Sequence, residues 1–188
     1  MKISYGSHSI TKDDIIGVAK TLRSAWLTQG PQLENFEKAL ARYCGAKYAV
    51  AVCNGTVALH LAYLVAGLKA HDEVITTPNT FVATVNMLLA VGATPVFCDI
   101  RADTYNINEK KIENLINKNT KALVPVHFGG QPCEMEKLQR IARRQHLLII
   151  EDACHALGAG YKKDKIGSCK YSDLAVFSFH PVKSITTG

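Results

Sequence analysis

From residue 48 onward the chain repeats one pattern: a short apolar run of strand length, then a stretch with helical spacing. Strands are expected at residues 48–52, 73–76, 94–98, 122–126, 147–150 and 174–177. Helices are expected between them, at 57–68, 81–91, 108–117 and 135–145. Runs that are apolar throughout need cover on both faces, and strands separated by helices pair in parallel. The expected fold class is therefore α/β, a mostly parallel sheet with helices on both sides in a three-layer sandwich.

The first 47 residues lie outside this alternation. Residues 1–10 read as a polar arm. Thr11 with Asp14 is a capping signal, followed by Ile15, Ile16, Val18, Ala19 and Leu22 at helical spacing. Leu27-Thr28-Gln29-Gly30-Pro31 breaks that helix, and a second runs from about Gln32 to a stop at Gly45.

Composition narrows the function classes. At 188 residues, 47% hydrophobic and 20% charged, the chain suits one domain with a sizeable core. No apolar run approaches the roughly 18 residues of a membrane span, and the first residues do not resemble a signal peptide. The six cysteines (Cys44, Cys53, Cys98, Cys133, Cys154, Cys169) are scattered singly, which fits reduced thiols in a cytoplasmic protein. A net charge of +6 without a nucleic-acid motif or a basic stripe suits anionic small molecules better than nucleic acid.

In parallel α/β sheets ligands bind beyond the carboxyl ends of the strands. Cys53-Asn54-Gly55-Thr56 leads straight into a helix, where free amides and a hydroxyl suit a phosphate; it also reads as a plain turn capped by Thr56. Phe81 offers a ring for stacking, or is a core residue of the helix it opens. After 147–150 comes Glu151-Asp152-Ala153-Cys154-His155. Alternation directs one carboxylate to the core side, taken as Asp152, which needs a cation such as a protonated ring nitrogen. His155 suits a cofactor oxygen or ring face. Read individually, Asp152 could cap a helix and His155 could be a satisfied polar residue in a loop, and a metal site lacks convincing ligand spacing. Lys183, in Ser178-Phe179-His180-Pro181-Val182-Lys183-Ser184, is a surface lysine or an amine placed to form a Schiff base. A phosphate cradle, a stacking ring, a carboxylate for a ring nitrogen and an amine for an aldehyde together are what pyridoxal 5'-phosphate (PLP) requires, and Ser178 could add a phosphate contact.

These segments resemble the DegT/DnrJ/EryC1/StrS family of PLP-dependent nucleotide-sugar aminotransferases. The resemblance is carried by Leu27-Thr28-Gln29-Gly30-Pro31, Asn54-Gly55-Thr56-Val57-Ala58-Leu59-His60, Thr80-Phe81-Val82-Ala83-Thr84, Gly92-Ala93-Thr94-Pro95, Gly130-Gln131-Pro132, the Glu151 to Gly158 segment and the closing Ser178 to Gly188. It implies the large domain of a fold-type I PLP-dependent transferase over 31–188, incomplete, preceded by an arm and helix over 1–30, with the C-terminal small domain absent. It implies Lys183 as the Schiff-base lysine, Asp152 as ring-nitrogen partner and Phe81 as stacking ring. Gly55, Thr56 and Ser178 would hold phosphate, and His155 would lie near the ring hydroxyl. Within the family the final segment is most similar to the pseudaminic acid branch. That branch aminates the C4 ketone of UDP-4-keto-6-deoxy-N-acetyl-β-L-altrosamine with L-glutamate as donor. Tyr5, Ala25, Trp26, Leu27 and Thr28, with Gly55 and Ser178, fall where that branch contacts the UDP-sugar. The perosamine and bacillosamine enzymes share the framework; dehydratase members carry histidine where this chain has Lys183. The resemblance further implies a homodimer in the full-length protein, with an active site borrowing groups from a second subunit. Family members run about twice this length, so an N-terminal fragment, inactive by itself, is a further expectation.

Overall fold

The computed structural model describes residues 8–187. In chain order its strands are β1 (Glu73–Thr76), β2 (Thr94–Phe97), β3 (Thr120–Leu123), β4 (Leu148–Asp152), β5 (Gly160–Tyr161), β6 (Asp164–Lys165) and β7 (Leu174–Val176). Its α-helices are α1 (Lys12–Leu22), α2 (Pro31–Cys44), α3 (Gly55–Val65), α4 (Ala83–Ala90) and α5 (Met135–Gln145). Five strands form one sheet in the order β2-β1-β3-β4-β7, and every ladder in it is parallel. β5 and β6 pair separately as a short antiparallel ribbon.

Strand alternation divides the core in two. Val74, Ala122, Val124, Ile150 and Val176 face α3 and α4, packing against Leu59, Ala62, Tyr63 and Leu88. Ile75, Leu123 and Ile149 face the opposite way, toward Leu138, Ile141 and Ala142 of α5. The sheet is thus covered on both sides, as its uninterrupted apolar runs require. Each fully buried Leu or Ile contributes about 1.5–3 kcal/mol, so these two layers supply the main folding force.

The local signals at the helix ends are realised. Thr11 and Asp14 form a reciprocal capping box on α1, with the Asp14 carboxylate accepting the Thr11 amide at 2.7 Å. Pro31 occupies the first turn of α2, and Gly45 closes that helix at φ 79°. α1 nevertheless buries none of its residues: Ile15, Ile16, Val18 and Leu22 are all exposed.

Two expected elements differ. Residues 48–52 have no assigned secondary structure and form no ladder among the described residues, and Tyr48 and Val50 stand 75% and 79% exposed. An apolar run becomes a strand only where another backbone takes its hydrogen bonds; here the Ala51 amide donates to the Glu37 side chain at 2.8 Å instead. The helix expected over 108–117 shrinks to a 3₁₀ turn at Ile112–Leu115. Asn108 accepts the Lys110 amide and Asn117 accepts the Asn119 amide, so side chains compete for backbone groups a helix would use. β4 also runs two residues further than expected, ending on Glu151 and Asp152 themselves.

Candidate active site

The alternation that sorts the core also sorts the two carboxylates ending β4. Asp152 follows Ile150 toward α3 and α4; Glu151 follows Ile149 toward the opposite face. The expectation that only one is core-facing is corrected: Glu151 is 3% exposed and Asp152 5%. Each has its own partners. Glu151 accepts from the Ser172 hydroxyl and lies 2.7 Å from Nε2 of the fully buried His127. Because His127 Nδ1 accepts the Cys133 amide at 3.0 Å, its ring proton is on Nε2 and is donated to Glu151. That group is closed and structural.

Asp152 is different. Oδ2 accepts the Thr84 hydroxyl at 2.6 Å and Oδ1 accepts the Cys154 amide at 3.2 Å. Among the described residues no Lys, Arg or His forms an ion pair with it. A buried carboxylate held only by neutral donors, at the ligand-facing end of a parallel strand, is suited to a cationic ring nitrogen.

Around it the chain assembles the other candidates. α3 begins at Gly55, and Asn54 rather than Thr56 is its cap, accepting the Val57 amide at 2.9 Å. The amides of Gly55 and Thr56 occupy the first two helical positions and have no intrahelical acceptor, leaving them for an anion. Ser178, just beyond β7, packs so tightly on Gly55 that an added Cβ there would lie 3.2 Å from Ser178 Cβ and 3.5 Å from Cys154 Sγ. Phe81 sits one turn before Thr84 at the head of α4, and the residue is 69% exposed. An exposed aromatic in this place presents a face for stacking rather than filling the core.

Lys183 and His155 meet. Lys183 Nζ lies 2.7 Å from His155 Nε2. Burial first, and then the neighbouring Lys183 charge, hold the His155 imidazole below its ordinary range, so His155 accepts from the ammonium. His155 is itself located by Gly130, whose φ of 87° and lack of a side chain let the His155 carbonyl approach; a Cβ there would stand 2.8 Å from that oxygen. Cys154 shares the site, but burial and the nearby Asp152 push its thiol well up, so it is inert.

Ala25, Trp26, Leu27 and Thr28 form an exposed turn between α1 and α2. Their described contacts are local: the Ser24 hydroxyl donates to the Trp26 carbonyl at 3.1 Å, and Gly30 packs on Trp26. The structure does not join them to the Asp152 cluster. Tyr5, and the terminal Gly188, lie outside the described residues. Thr84 and the His127–Glu151–Ser172 group were not singled out from the sequence. The signal available for Thr84 was a hydroxyl three residues after Phe81 in a mostly apolar helix.

An amine, a buried carboxylate, an exposed aromatic residue and a helix N-terminus near one end of a parallel sheet have the chemistry that a planar, phosphorylated, carbonyl-bearing cofactor requires. Comparison with known proteins agrees. The DegT/DnrJ/EryC1/StrS aminotransferase family model matches residues 8–188, and the chain belongs to this family. Its cofactor is PLP. The spore coat polysaccharide biosynthesis protein SpsC of Bacillus subtilis is 45% identical over 99% of this chain and 47% of its own length. PseC of Helicobacter pylori, an aminotransferase involved in the biosynthesis of pseudoaminic acid, is 39% identical with a TM-score of 0.93, over all of this chain and 50% of its own. The putative sugar aminotransferase Spr1654 of Streptococcus pneumoniae, solved in a PLP-form, is 33% identical with a TM-score of 0.94, over all of this chain and 51% of its own. The chain therefore spans about half the length of these relatives. Among the described residues no helix is long and apolar enough to cross a membrane.

Proposed function

We propose that this chain is the cofactor-binding part, centred on residues 31–188, of an aminotransferase acting on nucleotide-linked keto sugars. The observation that carries the reading is Asp152, buried and without a cationic partner among the described residues, at the strand end near Gly55, Ser178 and His155. In this reading Lys183 holds the cofactor carbonyl, Asp152 pairs with the ring nitrogen and Phe81 covers the ring. Gly55, Thr56 and Ser178 hold the phosphate, and His155 lies by the ring hydroxyl. Bound PLP supplies a carbonyl that condenses with amines and a protonated ring that stabilises negative charge on the attached carbon.

The residues then have defined tasks. Asp152 keeps a proton on the ring nitrogen. Lys183 Nζ, once displaced by the incoming amine, removes the proton from Cα of L-glutamate and later delivers one to C4 of the sugar, as base and then acid. L-Glutamate leaves as 2-oxoglutarate in the first half-reaction, and the sugar's C4 ketone receives the amino group in the second. Retention of Lys183 favours this over dehydration, which needs no returning amine.

The particular substrate we infer is UDP-4-keto-6-deoxy-N-acetyl-β-L-altrosamine, supported by the likeness to PseC over the whole chain and by the family resemblance of the final segment. The basic excess suits its diphosphate. Tyr5 and the Ala25 to Thr28 turn would meet the UDP-sugar, and a second copy would complete the site in a homodimer. Product analysis tests the reading. The full-length enzyme that contains this chain, loaded with PLP and given L-glutamate and this sugar, should yield the 4-amino sugar, detected by mass spectrometry. A deoxy product, or undiminished turnover by Lys183→Ala, would refute it.

A further inference from the structure

Asp152 is gripped from one side by a short line of hydroxyls. Thr84, fully buried on α4, donates to Oδ2 at 2.6 Å, and the hydroxyl of Thr80 lies 2.7 Å from that of Thr84. An ionised carboxylate only accepts, so the Thr84 proton points at Asp152. The Thr84 oxygen is then free to accept, and Thr80 must supply the second proton. The order is Thr80 to Thr84 to Asp152, each donor polarising the next. Thr84 is also fixed through its backbone: its carbonyl accepts the hydroxyl of fully buried Tyr63 on α3 at 3.0 Å, and its amide donates to the Phe81 carbonyl at 3.1 Å. One residue thus links the helix opening at Gly55, the exposed ring of Phe81 and the buried carboxylate.

We propose that Thr84, oriented by Thr80, is a positioning residue whose hydroxyl holds Asp152 as a carboxylate aimed at the cofactor's ring nitrogen. The inference rests on the functional reading above. Two atoms compete for one proton, the ring nitrogen and the Asp152 oxygen. A hydrogen bond from Thr84 stabilises the charged carboxylate and leaves the proton on nitrogen. Without it, Asp152 is buried with one donor fewer, becomes more basic, and draws the proton to itself.

The test uses protein loaded with PLP labelled with ¹⁵N in the ring, comparing wild type, Thr84→Val, Thr84→Ser and Thr80→Val near neutral pH. Valine keeps the shape and removes the donor; serine keeps the donor. The ring ¹⁵N resonance reads the proton directly, and the infrared band of a protonated carboxyl reads its arrival on Asp152. Wild type and Thr84→Ser should give a protonated ring nitrogen. Thr84→Val should move the resonance toward the unprotonated position and reveal the carboxyl band, with Thr80→Val shifting the same way by less. Wild-type signals from Thr84→Val would overturn the proposal; should that variant fail to fold, wild-type signals from Thr80→Val would do so. A wild-type protein that cannot take up PLP would overturn the functional reading and this inference with it. Normal uptake with an unmoved resonance in the valine variants would overturn the inference alone.

Discussion

His155 shows how one side chain serves two partners. Its backbone is admitted by Gly130, and its Nε2 accepts from Lys183 only while unprotonated. Burial and the Lys183 charge lower its proton affinity in the fold, so the unfolded chain binds the proton more tightly. The sign follows from linkage: stability falls as pH drops through the ordinary histidine value near 6.5 and continues to fall until the folded group is protonated. Thermal unfolding of protein without PLP should therefore show a midpoint declining below pH 7, and His155→Gln should flatten that decline. The residue is partly exposed, so the change is modest. A decline of unchanged slope in the variant would place its cause elsewhere.

At the scale of elements, β4 carries the two functions of the sheet on its two faces. Glu151 closes one face with His127 and Ser172, while Asp152 meets the Thr84 hydroxyl on the other, the face proposed to take the ligand. Removing His127 would leave a buried carboxylate with only Ser172 and would free the Cys133 amide. We expect His127→Ala to cost about 3 kcal/mol, read from the urea midpoint. A loss within error of zero would mean that the pair is not a structural anchor. The same elements show what was legible in the sequence. Strands buried on both faces could be read from continuous apolar runs, and the helix ends at Thr11, Pro31 and Gly45 from local chemistry. Asp152 and Lys183 stood out as candidates because one ends an expected strand and the other follows one, whereas Gly55 was reached from an expected strand, 48–52, that forms no ladder among the described residues. Residues 48–52 could not, since ladder formation depends on a neighbour that a local pattern does not contain. Neither could the hydroxyl on Asp152, because Thr84 is 68 residues away in the chain.

For the whole molecule, covered and uncovered apolar surface are unevenly divided. The two layers against the sheet are buried, but Leu64 and Val65 of α3 and Leu89 of α4 are exposed on their outer sides, and Ile15, Ile16, Val18 and Leu22 of α1, together with Trp26 and Leu27, stand open on one stretch of chain. Tyr48 and Val50 add an exposed apolar run that joins no ladder among the described residues, and β7 forms an edge of the sheet. Open apolar patches and free edges favour association. The 188-residue chain produced by itself should bind an apolar dye and sediment as concentration-dependent oligomers. Replacing Ile15 and Val18 with lysine should reduce both. A dye-silent monomer at high concentration would contradict this account of the surface.

The central proposal is chemical and local: Lys183 would be the amine that reacts with the cofactor. Its most direct measurement is borohydride reduction of PLP-loaded protein, followed by peptide mass analysis. The account predicts a single pyridoxyl group on Lys183, lost in Lys183→Ala. A label on another lysine, or no label with PLP demonstrably bound, would contradict it.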